Sequence, residues 1–123
     1  MAQQGNTQPY PLTIDQGATR TLVVQYQQRA SGVDTPVNLT GYTARMQLRT
    51  SYTAASSTLS LTSPSGGIVI TPLTGTITVT ITATQTAALA AGRYVYDLEI
   101  ESAGGEVTRV LDGIATVTPE VTR

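Results

Sequence analysis

Three acidic residues at alternate positions, Asp97, Glu99 and Glu101, are the side chains whose types and spacing could do chemistry in this sequence. Residues two apart in a β-strand lie on one face, roughly 7 Å from each other. At that spacing carboxylates could hold a divalent cation or act as a catalytic pair. The alternative is a solvated strand face, on which they pair with Arg45 and Arg49 of a neighbouring strand. We favour this alternative and predict no catalytic and no metal-binding residues.

The other candidate sites for chemistry are also weak, because the residues around each of them do not complete a binding or catalytic site. Asp34 and Asp112 stand at turn or bulge positions without a second ligand close in sequence, which argues against calcium. Arg45, Arg49 and Arg109 could form an anion-binding patch, but the neighbouring carboxylates oppose it. The glycine pairs in SGG and AGG lack the strand–loop–helix context of a phosphate cradle.

The composition of the 123 residues excludes several functional classes. There is no Cys and no His, so thiolate nucleophiles, sulfur metal sites and a Ser-His-Asp triad are absent. The net charge is −1, which gives no electrostatic reason to bind nucleic acid or a membrane. The N-terminus has neither the cationic region nor the apolar run of a signal peptide. We therefore expect a protein that is not an enzyme and binds no cofactor and no small-molecule substrate.

Two strongly alternating segments organise the chain. In Gly75–Thr82 the apolar residues Ile77, Val79 and Ile81 alternate with threonines, and Arg93–Glu101 alternates in the same way. A period of two predicts half-buried strands. The apolar face of the second strand consists of Tyr94, Tyr96, Leu98 and Ile100.

The connection between these strands predicts a short helical corner. Ala83–Gly92 is too short for a packed helix, and we expect one helical turn, capped by Thr84 and closed by Gly92. The Gly-x-Tyr that enters the second strand is typical of a tyrosine corner. We expect the Tyr94 hydroxyl to bond to backbone near Leu89.

The whole pattern predicts an all-β fold. Thr supplies 23 residues, and turn signals recur at sandwich spacing. We predict an immunoglobulin-like β-sandwich of seven to nine antiparallel strands, a single domain over residues 9–123. We expect a bulge at Asp112-Gly113 that turns Ile114 inward.

Residues 1–8 are polar and without periodicity, and we predict an N-terminal arm that contacts other subunits. The contact residues predicted in the arm are Gln3, Gln4 and Asn6. Val23 and Val95 are apolar residues on the outward faces of their strands, and we add them to the predicted contacts.

Four motifs spread over most of the chain carry a resemblance. They are PLTIDQGAT at 11–19, VNLTGYTARMQLR at 37–49, GTITVTITATQTAALAAGRYVYDLEI at 75–100 and GGEVTRVLDGIATVTPEVTR at 104–123. They resemble a family of small virion proteins of tailed bacteriophages. More distantly, the chain is similar to the immunoglobulin-like N-terminal domain of phage upper baseplate proteins.

The resemblance implies a virion structural protein, made in the host bacterial cytoplasm and repeated as an adaptor in the tail, neck or baseplate. Its implied partners are other virion proteins and further copies of itself, in a ring or lattice. One alternative is a protein that decorates the capsid. An alternative from a different class is a module that binds host glycans.

Overall fold

The computed structural model describes residues 2–3 and 7–122, and these are almost entirely β-structure. The strands are β1 (Ala2–Gln3), β2 (Gln8–Pro9), β3 (Leu12–Asp15), β4 (Arg20–Ala30), β5 (Val33–Pro36), β6 (Thr43–Arg49), β7 (Leu59–Thr62), β8 (Ile68–Thr71), β9 (Thr76–Ile81), β10 (Gly92–Glu101) and β11 (Val107–Thr118). A 3-10 turn (Pro72–Thr74) and a short helix, α1 (Ala83–Ala87), complete the elements.

The strands form two sheets that pack as a sandwich, as the sequence predicts. In the first sheet, hereafter the β4 sheet, the order is β1-β4-β9-β8, and β5 also pairs with β4. In the second, the β10 sheet, the order is β2-β11-β10-β6-β7, and β3 also pairs with β11.

The core lies between the sheets and comes from the predicted alternation. Ile77, Val79 and Ile81 of β9 belong to the same buried cluster as the apolar face of β10. The intervening threonines of β9 are only half-buried. Each row removes its apolar surface from water by packing on the opposite sheet, which is the main stabilising term of such a fold.

The strand pattern differs from the prediction at the N-terminus. β1 runs parallel to β4 at Tyr26 and Gln27, while β2 and β3 both run parallel to β11. Together with β5, the short strands β1 and β2 raise the number of strands described to eleven instead of seven to nine. β5 follows β4 directly and folds back on it as an antiparallel hairpin, with Arg29 opposite Asp34.

The pairings at the N-terminus also bear on the predicted arm. Gln3 lies in β1 on the edge of its own domain, and Gln8 lies in β2 on β11. The predicted arm, residues 1–8, thus includes residues that pair with described strands, Gln3 and Gln8 among them. Gln4 and Asn6, the other predicted contacts of the arm, lie outside the described residues.

The helical corner is present, but Thr82 caps it and the prediction of Thr84 is wrong. The Thr82 hydroxyl accepts a hydrogen bond from the Gln85 backbone N–H, and the Gln85 side chain accepts one from the Thr82 N–H. This reciprocal capping box satisfies two backbone donors at the start of the helix. Gly92 does not close α1, which ends at Ala87; it begins β10 instead.

The bulge in β11 lies at Val110, so its predicted position at Asp112-Gly113 is wrong. The register between β10 and β11 shifts between Leu98 and Glu99, whose partners are Leu111 and Arg109. The extra residue lets both Val110 and Leu111 point into the core, 0% and 5% exposed. Ile114 is not turned inward and remains 41% exposed.

Candidate interaction surface

Two tyrosine hydroxyls of β10 form hydrogen bonds to the backbone of neighbouring loops. Tyr94 donates a hydrogen bond to the carbonyl oxygen of Ala90, 2.6 Å away, which forms the expected corner one residue from the predicted position. Tyr96 donates to the carbonyl oxygen of Tyr10, also at 2.6 Å. Burial raises the pKa of Tyr96 well above its ordinary value. Both hydroxyls are thus occupied by backbone partners and hold loops in place.

The acidic row lies on the outer face of the β10 sheet, which we call the charged face. Arg45 lies directly opposite Glu99 and bonds to it through Nε at 3.0 Å, while its Nη1 bonds to Glu101 at 3.0 Å. No group of three or more carboxylates close enough to hold a metal ion occurs among the described residues. This end of the row is the arginine-paired strand face that the sequence predicts.

At the other end of the row, Asp97 is paired differently. Its Oδ2 lies 3.6 Å from Nε of Arg109, and Arg109 Nη1 lies 3.8 Å from Oδ2 of Asp112. Arg49 does not pair with the acidic row as predicted. Its guanidinium donates instead to the Ala54 carbonyl oxygen and to Gln47 Oε1. Burial raises the pKa of Asp97, and repulsion from Glu99 adds to this, against the attraction of Arg109.

The outer face of the β4 sheet carries no charged residue where β4, β9 and β8 pair. Its positions on β4, β9 and β8 align across the sheet, with Val23 beside Thr78 and Thr78 beside Val69. Arg29 of β4 and Asp34 of β5, which form an ion pair at 3.1 Å, lie outside this region of the sheet. We call this surface the neutral face; its residues are Thr21, Val23, Gln25, Val69, Thr71, Thr76, Thr78 and Thr80.

One edge of the neutral face is a strand edge that none of the described residues pairs with at Val23. The Tyr26 N–H donates to Gly75, and the Tyr26 carbonyl accepts from Val37, so both groups point toward β9 and β5. Backbone groups alternate in direction along a strand, and those of Val23 therefore point to the opposite edge. Within the part of the chain that the structure describes, β1 is the strand on that edge, and its register begins at Tyr26.

A shallow groove of about 230 Å³ runs beside the Val23 backbone. Leu22, Val24 and Leu111 supply apolar lining, and Tyr10 lies on its other side. The groove exists because β3 pairs with β11 and leaves this part of β4 uncovered. An extended segment of another chain could add to this edge and bond to the Val23 backbone groups.

The structure separates the two predicted valine contacts. Val23 is 63% exposed at the centre of the neutral face. Val95 is half-buried on the charged face, opposite Arg49 and Ile114. The neutral face was not predicted as a unit, although the uncharged TLVVQ of β4 and the outward threonines of β9 are signals that could have revealed it.

The fold and these surfaces define a small all-β sandwich domain whose distinctive features are a neutral face and an open strand edge. No helix in the described ranges is both long and apolar enough to span a membrane. No protein-family model matches the chain. No curated protein matches it in sequence.

Among solved structures, the chain is similar to the N-terminal domain of phage TP901-1 ORF48. The TM-score is 0.53 at 13% sequence identity, over 94% of this chain and 92% of that domain. The alignment spans both sheets. At this identity the likeness concerns the fold.

Proposed function

We propose that this chain is a non-enzymatic structural protein of a tailed-phage virion, an adaptor in the tail, neck or baseplate. The single observation that carries the proposal is the neutral face beside the open edge of β4. The fold that the chain has in common with the domain of a phage protein is consistent with this role. So are the sequence motifs that resemble small virion proteins.

The neutral face suits assembly for an energetic reason. Charged groups are depleted in the centre of protein interfaces, because burying them costs hydration energy that a partner must restore. Eight uncharged positions on a sheet avoid this cost. Threonine hydroxyls can still hydrogen-bond across the contact, while Val23 and Val69 supply apolar surface.

The open edge adds direction to such a contact. A neighbouring strand that bonds to the Val23 backbone would extend the β4 sheet into the next subunit. Main-chain hydrogen bonds then set the orientation of the partner. Repetition of this contact would place copies of the chain, or other virion proteins, in a ring or lattice.

The Arg45 end of the charged face and the tyrosines of β10 are consistent with the non-enzymatic part of the proposal. Glu99 and Glu101 are held by one arginine, and the hydroxyls of Tyr94 and Tyr96 bond to backbone carbonyls. A general base or nucleophile needs a free atom aimed at a substrate. These groups are engaged in holding the fold.

The test is incorporation of a Val23→Glu variant into particles. A carboxylate at the centre of the neutral face should be tolerated by the monomer, since Val23 is 63% exposed, but should prevent burial against a partner. We expect an unchanged melting temperature and loss of the chain from gradient-purified particles, measured by quantitative mass spectrometry.

The matched control is Ile114→Glu, which places the same charge at an exposed apolar residue of the charged face. This variant should be incorporated like the wild type. Normal incorporation of the Val23→Glu variant would contradict the proposal. In a particle reconstruction, threefold, sixfold or twelvefold rings would indicate a tail or neck adaptor, whereas shell positions would indicate a decorating protein.

A further inference from the structure

A depression of about 250 Å³ lies at the Asp97 end of the charged face, across β6, β10 and β11. Its lining includes Gln47, Tyr52, Val95, Asp97, Arg109 and Asp112. Pockets for drug-sized ligands take about 300–1,000 Å³, so this one suits a single small ring. We propose that it binds one residue of a neutral saccharide.

The first argument comes from hydrogen bonding. At the other end of the row, Arg45 bonds to both glutamates at 3.0 Å. Arg109, in contrast, stands 3.6 Å from Asp97 and 3.8 Å from Asp112, beyond the usual 2.7–3.2 Å of an N–H···O bond. The Asp97 end therefore keeps carboxylate acceptors and guanidinium donors available, whereas the Arg45 end does not.

A pair of adjacent sugar hydroxyls matches this arrangement. Each hydroxyl both donates and accepts, so one can donate to a carboxylate while its neighbour accepts from the guanidinium. Asp97 and Asp112 lie directly opposite each other across β10 and β11. Hydrogen bonds to ionised groups are stronger than those between neutral groups.

The second argument is an exposed aromatic ring with no packing role. Tyr52 is 81% exposed and borders the depression just after β6. A tyrosine ring offers an apolar face with a polar tip. It can therefore lie against the C–H face of a sugar ring, and Val95 supplies a further apolar contact.

The charges select a neutral ligand over an ionic one. Two carboxylates and two guanidinium groups, those of Arg49 and Arg109, line the depression. Arg49 already donates to the Ala54 carbonyl and to Gln47. A phosphate would meet the carboxylates, and a divalent cation would meet Arg109, which stands between them.

The experiment is an NMR titration of the ¹⁵N-labelled chain with D-glucose, D-galactose, D-mannose and N-acetyl-D-glucosamine, each to about 100 mM. An open site for one sugar residue gives millimolar affinity, about −4 kcal/mol. We expect at least one sugar to shift the amide signals of Tyr52, Asp97 and Arg109. The absence of shifts with all four sugars would overturn the proposal.

Variants inside and outside the depression distinguish specific sugar binding from nonspecific signal shifts caused by the high sugar concentration. Asp97→Asn and Tyr52→Ala should each weaken binding about tenfold or more, while Glu99→Gln, at the Arg45-paired end of the same strand, should leave it unchanged. Equal binding by the Asp97→Asn and Glu99→Gln variants would refute the assignment. Inorganic phosphate at the same concentration should not displace the sugar, and displacement would also count against it. The site lies on the face opposite Val23, so this result is independent of the assembly test.

Discussion

The hydroxyl group of Tyr96 donates a hydrogen bond to the backbone carbonyl oxygen of Tyr10, 2.6 Å away. The Tyr10 N–H in turn donates to the carbonyl oxygen of Asp112 at 2.8 Å. Gly113, the residue opposite Tyr96 on β11, lies directly beneath the Tyr10 backbone. One tyrosine thus ties the N-terminal segment to the centre of the β10 sheet.

Replacing Tyr96 by Phe should lower the free energy of unfolding by about 1 kcal/mol, because the Tyr10 carbonyl loses its partner. Urea unfolding at neutral pH measures the change. Tyr52→Phe is the control, since that side chain is 81% exposed and should leave stability unaltered. Equal stability of the Tyr96→Phe variant and the wild type would mean that the bond contributes nothing net.

Tyr96 should also make stability depend on alkaline pH. Burial raises its pKa above the ordinary value near 10, so the folded chain keeps a proton that the unfolded chain releases. The stabilisation is complete below about pH 10 and decreases as the pH rises further. Melting temperatures across this range should fall less steeply for Tyr96→Phe than for the wild type. Parallel curves of melting temperature against pH for the two proteins would argue against a raised pKa of Tyr96.

Gly113→Ala should destabilise the fold by about 1–3 kcal/mol, as overpacking does. A Cβ at this position would lie 2.7 Å from the Tyr10 carbonyl oxygen, and the residue has φ of +153°. Gly105→Ala is a useful comparison, because its φ is also positive but no atom lies within 4 Å of the added Cβ. Chemical denaturation of both variants should give the larger loss for Gly113→Ala.

The helix cap offers a sharp comparison between two threonines. Thr82→Ala removes the side chain that bonds to the Gln85 N–H, and it should lower stability by about 0.5–2 kcal/mol. Thr84→Ala changes an exposed residue inside the same helix and should have little effect. Differential scanning calorimetry decides between them. A larger loss at Thr84 would restore it as the cap.

Asp97→Asn should stabilise the chain at neutral pH. Burial raises the pKa of Asp97, so ionising it costs more in the folded state than in the unfolded state. The wild type is therefore penalised above that pKa, whereas Asn cannot ionise. The advantage of the variant should disappear as the pH falls below about 4. Melting temperatures at pH 7 and pH 3 test this, and a destabilised variant at pH 7 would contradict it.

The parts of the fold that follow from local patterns could be predicted. β9 and β10 begin and end within one residue of the predicted strands because their period of two leaves one face to bury. The corner was predicted as well, but its cap was placed at Thr84. The deciding signal is in the sequence, since Gln85 follows Thr82 by three residues, as a capping box requires.

The parts that depend on distant residues could not be predicted. The bulge at Val110 is set by the register with β10, and the open edge of β4 exists because β3 pairs with β11. The depression needs Asp97 and Asp112 to face each other across two strands. Each of these relations joins segments whose local sequences are compatible with several partners.

The pairing of β3 with β11 has a consequence for the order of events in the cell. Leu12 lies opposite Ala115 and Ile14 opposite Val117, and all four are buried. Because a ribosome releases the N-terminus first, Leu12 and Ile14 cannot pair with β11 until the chain up to Thr118 has emerged, and they are exposed to solvent until then. β3 is thus synthesised early but is among the last strands to pair, and a chain stalled before Val107 would expose apolar residues of the kind that chaperones bind.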